Sequence, residues 1–163
     1  MIHTMSMFHT VPKIIFGCGA VRQSGEVVKT LGANRVTVVT DPGIVQAGIH
    51  EPVVAALDSA GLHPALFSEV EPDPKIEIVD QCLAFIKEHG SDLVVGLGGG
   101  SSLDISKAAA IMVGNAGPIN QYAGMNLVPN PGLPTFLIPT TAGTGSEVTS
   151  ISVLSDRSEE RRV

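Results

Sequence analysis

The sequence predicts an α/β fold, with a mostly parallel sheet and helices on both of its faces. Short apolar runs rich in β-branched residues alternate with stretches of helical length. One of those stretches has a clear helical period, and polar or glycine-rich turns stand where the runs end. Strands alternating with helices of this length form βαβ units, whose crossovers make neighbouring strands parallel.

The elements follow in order. Ala20 to Leu31 is a helix candidate leading into Arg35 to Thr40, RVTVVT, a strand with mixed faces. His50 to Ala60 is the next helix candidate, and Pro64 to Ser68 is a shorter strand. Lys75 to His89 places Ile76, Val79, Leu83 and Ile86 at spacings of three and four, the pattern of an amphipathic helix. Asp92 to Leu97 and Thr135 to Pro139 are almost wholly apolar, as strands covered on both faces are. Ser101 to Val113 is the helix candidate after the first of these. No internal repeat is evident.

Composition bounds the function. A chain of 163 residues with 44% hydrophobic and 16% charged residues is the size of one globular domain, and it is too apolar for disorder. A net charge of −6 and a pI near 5.2 oppose a nucleic-acid surface. No run approaches the roughly 18 apolar residues of a membrane span. The start, MIHTMSMFHTVPK, has no Lys or Arg before Lys13 and no apolar stretch of signal-peptide length. Cys18 and Cys82 stand far apart with no C-x-x-C pattern, so they read as two buried thiols in a reducing cytoplasm. The expectation is a cytoplasmic protein acting on small molecules, with neither nucleic acid nor membrane as partner.

In a sheet of this kind, ligands bind beyond the carboxyl ends of the strands. After RVTVVT comes Asp41-Pro42-Gly43, after DLVVGLG comes Gly99-Gly100-Ser101, and after TFLIP come Thr140 to Glu147. All three turns converge on one crevice. Gly96, Gly98, Gly99 and Gly100 let the backbone turn sharply and approach a ligand closely. The free N–H groups and positive dipole end of the next helix attract an anion such as phosphate. Ser101 with Asp104 also fits a capping box, and so does Thr144 with Glu147. Asp41 is placed either to accept hydrogen bonds from an adenosine ribose or simply to form an Asp-Pro-Gly turn. Gly96-x-Gly98-x-x-Ser101 comes close to the dinucleotide fingerprint, but it ends on serine and follows a late strand, while AGTGSE lacks the lysine of a P-loop.

GGGSSLDISK at Gly98 to Lys107, PTTAGTGSEVT at Pro139 to Thr149 and the Asp41 turn, in this order, resemble the amino-terminal domain of iron-containing (group III) alcohol dehydrogenases. The resemblance extends to Val11-Pro12-Lys13-Ile14-Ile15-Phe16-Gly17 and Glu71-Pro72-Asp73-Pro74. It implies a Rossmann-like domain over residues 1–163 that binds NAD. In that family pattern Gly99, Gly100, Ser101 and Asp104 sit at the diphosphate, with Gly98 in the same loop. Thr140, Thr141 and Thr144 border the adenosine and diphosphate, and Asp41 reads the ribose. Asp73 stands where the family often has asparagine beside the cofactor, and Arg162 where it often has lysine.

The resemblance also implies a second, all-helical domain supplying an aspartate and three histidines to Fe2+ or Zn2+, which would polarise an alcohol oxygen. No histidine among His3, His9, His50, His63 and His89 forms an i, i+4 pair or matches that metal motif. The chain therefore reads as the NAD(H)-binding part of a metal-dependent alcohol dehydrogenase, cut inside a larger protein. As such it holds no catalytic or metal residue of its own, is inactive alone, and has an exposed apolar face. The parent is expected to be a homo-oligomer acting on an alcohol or aldehyde. A stand-alone nucleotide-binding module, and a relative of glycerol dehydrogenase or dehydroquinate synthase, are the alternatives.

Overall fold

A computed structural model describes residues 11–124 and 126–156. Arg162, His3 and His9 lie outside the described residues, and Ser155, near their end, forms a single parallel bridge with Lys75.

The chain begins with a 3-10 turn, Ala20–Gln23, which leads into helix α1, Ser24–Thr30. Then follow strand β1, Arg35–Val39, helix α2, Pro42–Gln46, helix α3, Glu51–Ser59, and strand β2, His63–Phe67. Helix α4, Ile76–His89, strand β3, Leu93–Gly98, helix α5, Gly100–Met112, and strand β4, Thr135–Pro139, complete the order. The predicted alternation of strands and helices is thus present. The single helix expected over Ala20 to Leu31 divides at Gln23, and α2 was not anticipated. Gly90, left-handed at φ 67°, stops α4 as glycine does when no Cβ opposes that conformation.

The four strands pair in the order β2-β1-β3-β4, all parallel. Val36 of β1 lies opposite Leu93 of β3, and Val94 of β3 opposite Thr135 of β4. Alternation along the strands divides the core. Val36, Val38, Leu93, Val95 and Leu97 pack with Val28 of α1 and with Val53 and Leu57 of α3. Val39 and Val94 pack on the other face with Val79, Cys82 and Ile86 of α4 and with Ile105 and Ala109 of α5. Helices α1 and α3 therefore cover one face, and α4 and α5 the other.

This arrangement positions the site. The chain leaves β1 toward α3 on one face and leaves the adjacent β3 toward α5 on the other. The two turns separate at the carboxyl edge, and a crevice opens where they do. Helix α5 lies very close to the sheet, because a Cβ on Gly96 would stand 2.6 Å from Ser106 Oγ and 2.8 Å from Leu137 Cδ2. Among the described residues no helix is long and apolar enough to cross a membrane. Several large apolar side chains are exposed, among them Ile14, Phe16, Ile151 and Val153.

Cys82 is fully buried in the α4 face of the core, as expected, and burial pushes its thiol up to about 12, whereas Cys18, expected to be buried too, is exposed. The thiolate is the form that reacts with alkylating agents, so a buried thiol kept protonated is inert. Iodoacetamide at pH 8 is expected to label Cys18 within minutes and to spare Cys82 until the chain is unfolded. Mass spectrometry of the labelled peptides checks this.

Candidate functional site

The crevice is built around Gly98. The residue closes β3, accepts a hydrogen bond from Thr140 N through its carbonyl at 2.9 Å, and has φ 143°. A Cβ there would stand 2.7 Å from Ser102 Oγ and 3.2 Å from Asp41 Oδ2. Glycine is thus required twice, by the backbone angle and by the approach of two polar side chains. The next two glycines mark where the other loop lies. The Cβ positions of Gly99 and Gly100 are 3.4 Å from Thr141 Oγ1 and from Thr144 Cγ2, respectively. The ends of β1, β3 and β4 therefore meet at the start of α5, as the sequence predicts for Asp41, Gly98, Gly99, Gly100, Thr141 and Thr144. Thr140 leads into the same loop, and Thr140, Thr141 and Thr144 are all exposed.

Asp41 is both a turn residue and a crevice residue. Its Oδ1 accepts from Ile44 N at 3.0 Å and so caps α2, which begins on Pro42. Its Oδ2 accepts from Ser102 Oγ at 3.3 Å. Ser102, buried on α5, is a site neighbour that sequence reasoning missed. Its signal lay only in being a hydroxyl two residues past the glycine loop.

The start of α5 differs from that of α2. Its N-cap is Gly99, and no side chain caps it. Neither predicted capping box forms. Ser101 lies inside the helix, so it does not cap it, and Asp104 is turned toward another segment. No helix follows Thr144, whose hydroxyl instead accepts from Ser146 N at 3.4 Å in a local turn. The first N–H groups of an α-helix have no intrahelical acceptor. At α5 they belong to Gly100, Ser101 and Ser102, and the dipole of a 13-residue helix adds to their attraction for an anion.

Asp104 is 5% exposed. Its Oδ1 accepts from Ser146 Oγ at 2.9 Å, its Oδ2 from Val153 N at 3.0 Å, and Lys107 Nζ is 3.0 Å from Oδ1. It is therefore joined to the glycine-rich crevice through Ser146. Asp73 lies on the loop between β2 and α4, exposed and at φ 51°. It stands one residue before Pro74, whose carbonyl accepts from Ser155 N at 2.9 Å. Among the described residues no hydrogen bond joins Asp73 to Asp41 or to the glycine loop.

A family model described as iron-containing alcohol dehydrogenase matches residues 12–163. The chain is similar to a sulfoacetaldehyde reductase of Bilophila wadsworthia (strain 3_1_6), 45% identical over 148 residues, which are 91% of this chain and 38% of that protein. It superimposes on a solved 1,3-propanediol oxidoreductase with a TM-score of 0.93 at 35% identity, covering 96% of this chain and 41% of the other. It also matches a sulfoacetaldehyde reductase from Bifidobacterium kashiwanohense in complex with NAD+, with a TM-score of 0.86 at 33% identity, again covering 96% of this chain and 41% of the other. The chain thus spans about two fifths of the length of these relatives.

The two neighbouring glycines have separable roles. Gly98→Ala forces a side chain into a left-handed backbone and against Ser102, and is expected to lower stability by about 2 kcal/mol or more. Gly99, extended at φ −78° and ψ −174°, has room for a methyl group, so Gly99→Ala is expected to change stability by less than about 1 kcal/mol. Urea denaturation of the two variants beside the parent chain measures the difference.

Proposed function

We propose, since the chain belongs to the iron-containing alcohol dehydrogenase family, that residues 1–163 form a dinucleotide-binding domain. It holds NAD(H) for hydride transfer to or from a small alcohol or aldehyde. The observation that carries this reading is the uncapped start of α5, set between the Asp41 carboxylate, the Thr141 hydroxyl and the Thr144 side chain. The relative solved with NAD+ supports the choice of cofactor.

In this reading the backbone of Gly98 to Ser101 and the first turn of α5 hold the diphosphate. Charge-assisted hydrogen bonds from backbone N–H groups are strong, and the dipole favours the same sign of ligand. Asp41 holds the adenosine ribose. A carboxylate has about four lone-pair positions, and Ile44 N and Ser102 Oγ use one on each oxygen. The remainder are free for ribose hydroxyls, and the negative charge repels a 2′-phosphate. Thr140, Thr141 and Thr144 border the adenosine and diphosphate, with Asp104 behind them and Asp73 at the outer edge.

The nicotinamide, when bound, accepts a hydride from the carbinol carbon as the hydroxyl proton is lost, and returns it in the reverse direction. This chain's residues bind and orient that acceptor. Among the described residues no three His, Cys, Asp or Glu side chains gather as a metal-holding group.

Calorimetry tests the ribose assignment. NAD+ is expected to bind at least about tenfold tighter than NADP+, a difference of about 1.4 kcal/mol. Asp41→Asn, which keeps a cap for α2 but removes the charge, is expected to narrow that ratio to within about threefold; a chain that prefers NADP+ rules the assignment out. Gly99→Val tests the diphosphate assignment. Its side chain is expected to abolish dinucleotide binding while the far-ultraviolet circular dichroism is kept, and unchanged affinity removes the loop from the site.

A further inference from the structure

We propose that Lys107 is a positioning residue for the crevice: its ammonium, inside α5, gathers the backbone that follows the Thr144 turn and so holds that turn against the glycine loop. The inference rests on the dinucleotide reading above and adds to it a device outside the binding surface.

Helix α5 is buried nearly all round, from Ser102 to Ala110 without a break. A lysine in such a helix needs partners, because an unpaired buried charge is strongly unfavourable. Lys107 is 7% exposed, and its Nζ donates to Ser146 O at 3.0 Å, to Thr149 O at 3.4 Å and to Ile151 O. Asp104, one turn earlier, stands 3.0 Å from the same nitrogen. An ammonium carries three N–H donors in a tetrahedral spread, so it can serve carbonyls arriving from several directions, whereas the flat fork of an arginine cannot.

The carbonyls it gathers have no strand or helix to satisfy them. Residues 140–154 contain no regular element, and backbone polar groups near a core need some partner. Apolar burial holds only the far end: Ile151 and Val153 are 67% and 71% exposed, while Leu154 packs in part against the α4 face of the core. The other anchors are polar. Lys107 takes three carbonyls, Asp104 takes the Ser146 hydroxyl and the Val153 amide, and the end of the segment is tied to Pro74 O through Ser155 N.

Ser146 connects the anchors to the crevice. Its carbonyl goes to Lys107, its hydroxyl to Asp104, and its amide to Thr144 Oγ1. Thr144 Cγ2 and Ser146 Oγ stand 3.4 and 3.6 Å from the Cβ position of Gly100. The path from Lys107 through Ser146 and Thr144 to the first turn of α5 is therefore a chain of direct contacts. Released from Lys107, the segment keeps its covalent link to β4 but loses what sets its distance from the glycine loop.

The test uses the 163-residue chain and two readouts: hydrogen exchange followed by mass spectrometry, and NAD+ calorimetry. Lys107→Met leaves Asp104 buried without a counter-charge and risks unfolding, so it is paired with Lys107→Met/Asp104→Asn, which removes both charges. Ser146→Ala serves as a milder variant that cuts only the hydroxyl link. In the double variant, amides of residues 144–153 are expected to exchange at least tenfold faster while Arg35–Val39 and Leu93–Gly98 stay protected, and NAD+ affinity is expected to fall at least tenfold. Ser146→Ala is expected to show both effects at about threefold. Val79→Ala, a core variant that lowers global stability, is expected to leave NAD+ affinity within twofold, which separates positioning from general destabilisation. Unchanged exchange in 144–153, or faster exchange with NAD+ affinity within twofold, overturns the role of Lys107. Absence of NAD+ binding in the unsubstituted chain overturns the reading of the site itself.

Discussion

Gly98 ends β3 with a carbonyl paired to Thr140 N and with the Asp41 carboxylate and the Ser102 hydroxyl where a side chain would otherwise lie. That missing Cβ sets the spacing of the carboxyl edge. Gly98 lies two residues past Gly96, the partner of Val39 at the end of β1, where the turns after the two strands depart to opposite faces, and α5 begins two residues later at Gly100. A methyl group at this point would separate Asp41 from α5, move the Thr140 amide, and open the meeting of three strand ends on which the proposed site depends. The strand pairing, the α2 cap and the start of α5 are thus coupled through one position with no side chain.

Much of this was legible from the sequence because it follows from pattern. The period of Ile76, Val79 and Ile86 gave α4, the apolar runs gave β3 and β4, and alternation gave a parallel sheet. The three turns converge as expected because parallel strands bring their carboxyl ends to one edge. What was not legible depends on distance in space. Asp41-Pro42-Gly43 reads as a turn in the sequence, and only the side-chain bond to Ile44 N shows that a short helix starts there. Ser101 has the sequence of a cap, but the helix begins one residue earlier because Gly99 takes the extended conformation that an N-cap needs. Asp104 has the sequence of a capping-box acid, yet its partners lie 42 and 49 residues away.

Helix α5 illustrates why polar residues in a buried helix carry information. Ser102, Asp104, Ser106 and Lys107 are all buried, and each has a hydrogen-bond partner. The small ones let the helix lie close on β3, with Ser106 Oγ turned back onto Ser102 O at 2.6 Å. The charged ones face a segment without regular structure and give it a fixed path. An apolar pair in their place would often be as stable, since desolvating two charges offsets much of their attraction. What the polar pair supplies is specificity of placement for a backbone whose hydrophobic contact with the core lies at its far end, at Leu154.

The strand order has a consequence for how the molecule comes into being. β1 must find β3 across three helices and the edge strand β2, and β4 can then add only to β3. Pairings of such long sequence separation form late, after the loop entropy between them has been lost. Neither wall of the crevice exists in a partly assembled sheet, because Asp41 belongs to the first strand in the order of the chain and Thr140 follows the last. A crevice able to hold a ligand therefore exists only in the completed sheet. A ligand held there stabilises the assembled state alone, by an amount set by its concentration relative to its dissociation constant. In the proposed reading, the dinucleotide is in this sense as much a late folding partner of the chain as a reagent it carries.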